Sequence, residues 1–190
     1  MNSIELAREL AASLHSGRPY AHLTMTDHVF TVAHAAHKIA TALDVGFNEQ
    51  ELQDIIVVAL LHDSVEDVLG DMRCSDVLYT KLFGSKVSGA IQKLTHRGGN
   101  YEAYLSHICD FNLRSSGEYA VIVKLADSVV NYEMSKITND QRRMTKYFRN
   151  IDWLKKSVAV SYDKGVSDVD GIIANAVKNV CWALTPVEKV

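Results

Sequence analysis

One imidazole and three carboxylates crowd into six positions of Leu60-Leu61-His62-Asp63-Ser64-Val65-Glu66-Asp67, directly after the apolar run Ile55 to Leu61. A core helix of a soluble protein has little use for such a cluster. If the helix continues to a breaker at Gly70, Glu66 and Asp67 lie in its last turn. Acids there face the negative end of the helix dipole, at a cost of about 0.3–1 kcal/mol each on a surface. A bound cation reverses that sign. On a helix His62 and Glu66 share a face, as do Asp63 and Asp67. Two chemistries suit this pattern, metal ligation and proton transfer. The plain alternative is a solvated acidic helix end.

Two further residues bear on the choice. His28 falls in the first turn of a helix capped by Thr24, where a lone histidine is often structural. Asp127 stands among Val121 to Val130, apolar apart from Lys124, Asp127 itself and Ser128. A carboxylate buried in such a setting needs a cation or several donors. Lys124, three residues away, could supply a salt bridge; a metal is the alternative. Asn131, one turn later, faces the same pocket or forms polar surface. Together His28, His62, Asp63 and Asp127 make a set of two histidines and two carboxylates drawn from three helices. Mixed nitrogen and oxygen ligands suit Mn, Fe, Co or Zn better than Mg or Ca.

The elements that position these groups read as all-α. Helical spacing runs through Ile4, Ala7, Leu10, Ala11 and Leu14 until Gly17 and Pro19. Thr24 and Asp27 have capping-box spacing before a helix burying Val29, Val32, Ala36 and Leu43. Asn48 caps a third helix, with Glu51 three residues on, that runs into the His62-Asp63 stretch. A short helix is expected from Ser75 or Asp76 to Phe83, another after Gly84-Ser85, and one from Tyr101 that fades by Ser115-Ser116-Gly117. His96 to Asn100 reads as a loop. Tyr119 to Val130 has strand propensity, but Val123, Ala126, Val130 and Met134 also fit a helical stripe. A lone strand has nothing to pair with, so this piece is read as helix. Thr138 and Gln141 suggest the next cap, and a last helix spans about 168–183.

The 190 residues form one expected domain, long enough to bury a core. A formal charge of −3 gives no general basic surface, which argues against duplex nucleic acid as a partner. Cys74, Cys109 and Cys181 are scattered and odd in number, as reduced thiols are. No apolar run is long enough to span a bilayer, and the first residues lack a signal-peptide core. A cytoplasmic protein is expected.

The motifs resemble those of the HD-domain metal-dependent phosphohydrolases. His28 with Val32-Ala33, then Leu60-Leu61-His62-Asp63, then Asp127 in Lys124-Leu125-Ala126-Asp127, are similar to that superfamily's H…HD…D pattern. Within it, Ala59 to Val68 resembles the ALLHDTVEDT stretch of alarmone, (p)ppGpp, hydrolases, including the small stand-alone ones. Lys124 to Asn131 resembles their KLADRLHN, and Ser16-Gly17-Arg18-Pro19-Tyr20 their SGEPY. Phe83-Gly84 with Val87, Leu94-Thr95, and Arg143 with Tyr147-Phe148 extend the likeness over about residues 1–160. The HD-x-x-ED element together with KLAD-x-x-x-N is specific in a way that neither is alone.

The resemblance implies an all-α HD fold, a bound Mn ion, and removal of pyrophosphate from the 3′ position of a guanosine polyphosphate. It makes His28, His62, Asp63 and Asp127 the metal ligands and Glu66 and Asp67 the acid/base pair. Asn131 and Arg143 would contact the nucleotide, with Arg18, Lys124 and Lys146 as further phosphate partners. A divalent ion in such a site activates water and polarises a phosphoryl oxygen. His22, nearer Pro19-Tyr20, is a rival ligand; Val32-Ala33 at helical spacing favours His28. Leu14-His15 stands where the family has a basic pair. That departure favours the alternative of another phosphorylated nucleotide, such as a deoxynucleotide. A non-catalytic nucleotide-binding module is the third reading, disfavoured by the full set of ligands and acids. His34, His37, His96 and His107 read as structural or surface residues, and Tyr101 with Tyr104 as core and rim.

Overall fold

The computed structural model describes residues 2–69 and 72–178. Nine α-helices account for most of these residues, as expected of an all-α chain. Helix α1 (Ser3–Leu14) is opened by a capping box between Asn2 and Glu5, and Gly17, at φ +69°, turns the chain after it. A short antiparallel hairpin follows, β1 (Pro19–Tyr20) and β2 (Leu23–Thr24), pairing Pro19 with Thr24 and Tyr20 with Leu23. This hairpin was not expected. Two-residue strands carry no readable alternation, so pattern alone cannot reveal them.

Thr24 then caps α2 (Met25–Leu43) reciprocally with Asp27, and Asn48 caps α3 (Glu49–Leu61) in the same way with Glu51. Both boxes form where the spacing placed them. They satisfy N–H groups that a helix start leaves without partners.

The long helix expected through Glu66 and Asp67 does not form. Helix α3 closes at Leu61, and a π-helical turn, Val65–Leu69, carries the acids instead. Side chains at the junction draw off backbone carbonyls: His62 Nδ1 lies 2.8 Å from Ala59 O, and Ser64 Oγ donates to Leu61 O. Such local bonds compete with the regular helix ladder, and π turns concentrate at functional sites. The breaker expected at Gly70 lies outside the described residues.

Helix α4 (Met72–Phe83) begins earlier than the expected Ser75 or Asp76. It is followed by α5 (Ser85–Leu94) and α6 (Tyr101–Cys109). Helix α7 (Ser116–Ile137) is the central rod, buried on nearly every face from Gly117 to Asn131. That burial explains why its β-branched run is helical, since a helix apolar all round belongs inside a core. Helices α2, α5 and α8 (Gln141–Ser161) pack around it. The start of α8 is capped by Asp140, whose side chain accepts from Arg143 N at 3.0 Å. Thr138, expected to cap it, instead bonds back to Met134 O at the end of α7. Helix α9 (Val166–Lys178) packs on α2 and α8, and the reading beyond Lys178 lies outside the described residues. Among the described residues no helix is long and apolar enough to cross a membrane.

Candidate metal centre and cleft

Helix α2, the turn after α3 and helix α7 bring His28, His62 and Asp127 together, with Asp63 beside them. The capping box at Thr24 places His28 in the first turn of α2, where it is 2% exposed. The end of α3 supplies His62 and Asp63, and the buried face of α7 supplies Asp127. His28 Nε2 lies 3.4 Å from Asp127 Oδ1 and 3.8 Å from Asp63 Oδ2. His62 Nε2 lies 3.1 Å from Asp63 Oδ2 and 3.7 Å from Asp127 Oδ1. One donor atom from each of His28, His62 and Asp127 falls within 4.8 Å of the others, a group that could hold an ion. The break after Leu61 is what lets the adjacent His62 and Asp63 turn toward the same point.

The donors fit a divalent ion. The contact of His62 Nδ1 with Ala59 O places the ring proton on that nitrogen and leaves Nε2 as a lone-pair donor. Nε2 is buried and makes no hydrogen bond. A buried polar atom left without a partner calls for an explanation, and a metal ion supplies one. The facing carboxylates also favour the charged ring. Burial disfavours the imidazolium of His62, but Asp63 and Asp127 outweigh it and raise its pKa to about 10.

Asp127 works on two sides. Its Oδ1 faces both histidines, while its Oδ2 accepts from Lys124 Nζ at 2.9 Å. Burial opposes its charge, yet Lys124 and the two histidines hold its carboxyl well below the usual range. The salt bridge and the metal-type cluster, posed above as alternatives for Asp127, therefore coexist. Lys124 is correspondingly committed to Asp127 rather than free at the cleft surface. Asn131 is buried and gives its amide N–H to Asp127 O at 2.9 Å and to Asp127 Oδ1.

A cleft of about 920 Å³ opens over this group. It is lined by Asp63, Asp127, Asn131 and Lys124, by Glu66 and Asp67 from the π turn, and by Arg18, Arg143 and Lys146. The residues expected to act as ligands, acid/base pair and substrate contacts thus line the cleft, except His62, buried beneath it. His22 is exposed in the hairpin turn, and His28 takes the place the two could have contested. Glu66 accepts from the backbone N–H of His96 at 3.0 Å. Asp67 lies 3.8 Å from Arg18, and burial together with Asp63 pushes its carboxyl up.

Several lining residues had no assigned role. Tyr20 reaches from the hairpin, its ring 4.3 Å from that of His28. Its hydroxyl donates to Asn131 Oδ1, and Arg143 Nη2 lies 3.4 Å from both oxygens. His96, Tyr101 and Tyr104, read as structural or rim residues, pack their rings edge-on or tilted against one another and form a cleft wall. Lys146 sits over Tyr101 at 4.6 Å, and Tyr147 lines the same side. The signal for the wall was the loop His96 to Asn100, whose Gly98 and Gly99 adopt positive φ and turn the chain across the cleft.

No curated protein matches the sequence significantly. A solved structure described as a metazoan orthologue of SpoT that hydrolyses ppGpp and plays a role in starvation responses superposes with a TM-score of 0.62. The two share 20% identity over 92% of this chain and 96% of that one, a likeness in fold. The HD domain family model matches residues 25–132, which takes in α2, the His62-Asp63 break and Asp127. The chain belongs to the HD domain family and is a phosphohydrolase of that superfamily.

Proposed function

We propose that this is a cytoplasmic, Mn-dependent 3′-pyrophosphohydrolase of guanosine polyphosphates, acting as a single catalytic domain. The observation that supports the reading is the buried group of His28, His62 and Asp127, with the half-buried Asp63 beside it, beneath a cleft that holds both carboxylates and cations. These four residues would hold the ion, with Asp127 fixed by Lys124 and Asn131. When bound, the ion supplies Lewis acidity that activates water and polarises a phosphoryl oxygen.

The remaining steps belong to the side chains. Glu66 is oriented by the His96 amide, which holds its carboxylate at the cleft where it can accept a proton. Asp67, with its raised pKa, is the better placed of the two to return a proton to the leaving oxygen. Arg143 and Lys146 project from one face of α8 into the cleft, and Arg can grip a phosphate with two parallel bonds. Asn131 and Arg18 complete the polar lining. Tyr101 and Tyr104 offer ring faces against which a base can stack.

A second reading, hydrolysis of another small nucleotide such as a deoxynucleotide, draws support from His15. That residue is fully buried and its pKa is lowered by burial, so it adds no cation to the cleft. A screen of Mn-loaded protein against guanosine polyphosphates and deoxynucleoside phosphates, with products separated, decides between them. Pyrophosphate release from ppGpp supports the first reading; turnover of deoxynucleotides alone supports the second. Metal binding without turnover of either class, unaltered by Glu66→Gln, would return the non-catalytic reading.

A further inference from the structure

Metal-binding histidines are usually oriented by a hydrogen bond from the ring nitrogen that does not touch the metal. His62 has such an anchor in Ala59 O, but His28 has none: its Nδ1 is buried and without a hydrogen-bond partner. What meets the His28 ring instead is Tyr20, with ring centroids 4.3 Å apart and planes inclined at 31°. The hydroxyl of the same tyrosine donates to Asn131 Oδ1. Asp127 settles which way the Asn131 amide faces, because its backbone O and carboxylate can only accept. Nδ2 meets that backbone O at 2.9 Å and the carboxylate Oδ1, and the amide oxygen is left to accept from Tyr20, which braces the amide from its other side. Oδ1 is the atom that faces both histidines.

We infer that Tyr20 is a positioning residue for the metal centre, acting on two ligands at once. Its ring orients His28 in place of the missing hydrogen bond, and its hydroxyl fixes Asp127 through Asn131. The hairpin β1–β2 carries that side chain, with Tyr20 paired to Leu23. Tyr20 does not itself enter the ligand set. The hydroxyl also receives Arg143 Nη2 at 3.4 Å, which places the phosphate-directed arginine on the same support.

The inference rests on the metal reading of the site but is tested without substrate. Metal-free protein is titrated with Co²⁺, followed by visible absorbance, and with Mn²⁺, followed by the resonance of the free ion. The series is wild type, Tyr20→Phe, Tyr20→Leu, Asn131→Ala and the double variant Tyr20→Phe/Asn131→Ala. Loss of an outer partner of a metal site weakens binding by about 10–100-fold. Tyr20→Phe keeps the ring and should weaken binding about tenfold, at the low end of that range. Tyr20→Leu should weaken it by about tenfold more and alter the Co²⁺ band, because the His28 ring is released. The double variant should bind no more weakly than Asn131→Ala alone, since the hydroxyl acts through that amide. Affinities within about twofold of wild type in both Tyr20 variants overturn the inference, far short of the effect expected of an outer partner. Additive losses in the double variant overturn the relay through Asn131. Urea midpoints of the metal-free proteins separate misfolding from mispositioning, and the Phe variant with its Asn131 cycle decides the matter if the Leu variant unfolds. Failure of the wild-type protein to bind either ion would instead bring down the metal reading itself.

Discussion

Replacing Lys124 with methionine isolates the electrostatic design of the site. Lys124 Nζ lies 2.9 Å from Asp127 Oδ2, with side chains 13% and 6% exposed. At an effective dielectric of about 20, that separation corresponds to a gross attraction of about 6 kcal/mol. Removing the lysine also removes its own desolvation cost. The net loss should therefore fall in the range found when one partner of a buried pair is deleted, about 3–5 kcal/mol. For a chain of this size, 3 kcal/mol lowers the Tm by about 6–12 °C. A bound divalent ion also neutralises Asp127, so saturating Mn²⁺ should shrink the loss to about 1–2 kcal/mol. The assay is urea unfolding of wild type and Lys124→Met, each with and without the ion.

The pH dependence of that gap follows from the two partners. Asp127 is depressed below its usual 3.8, so its contribution is complete above that value and is lost as pH falls through the folded pKa. Lys124 is raised above 10.5, so its contribution is complete below that value and is lost as pH climbs through the folded pKa. The gap should be flat from about pH 4 to pH 10. A metal-free loss under about 1 kcal/mol, in the range of a surface pair, would refute the reasoning. So would a loss that Mn²⁺ leaves unchanged.

Other expectations concern the ion and the reaction. Because His62 holds its proton to about pH 10 in the metal-free protein, an incoming ion must displace it. Apparent Mn²⁺ affinity should then rise by about tenfold per pH unit between about pH 7 and 9, and a flat calorimetric profile would count against it. Glu66→Gln should lower kcat by about 10²–10⁴-fold with metal stoichiometry unchanged; loss of the metal along with activity would place Glu66 in the ligand set instead. Arg143→Ala should raise KM by about 10–100-fold, the worth of a hydrogen bond to a charged group, while Mn²⁺ uptake persists. An unaltered KM would remove Arg143 from the substrate contacts.

The residues of the cluster were legible because their chemistry is costly elsewhere. A carboxylate amid Val121 to Val130, and a His-Asp doublet closing an apolar run, have few other uses in a helical core. The capping boxes at Thr24 and Asn48 were equally legible, since each is a local contract between two residues three apart. What pattern could not show was long-range or local against the pattern. The π turn arises from His62 and Ser64 bonding backward to carbonyls, and helical periodicity has no term for that. The hairpin is too short to alternate, so Tyr20 was visible as part of a motif but not as a neighbour of His28. The wall of His96, Tyr101 and Tyr104 depends on where the glycine loop carries the chain. Thr138 was expected to cap α8 but bonds back to Met134 O at the end of α7, and Asp140 caps α8 instead.

The central claim is that one divalent ion is held by His28, His62, Asp63 and Asp127. Anomalous diffraction from crystals grown with Mn²⁺ tests it most directly. A single strong peak is expected at the bottom of the cleft, within about 2.5 Å of Nε2 of both histidines and of a carboxylate oxygen of Asp63 and Asp127, as coordination distances require. A cleft without a peak, or an ion bound elsewhere while Nε2 of His62 stays protonated, would contradict it.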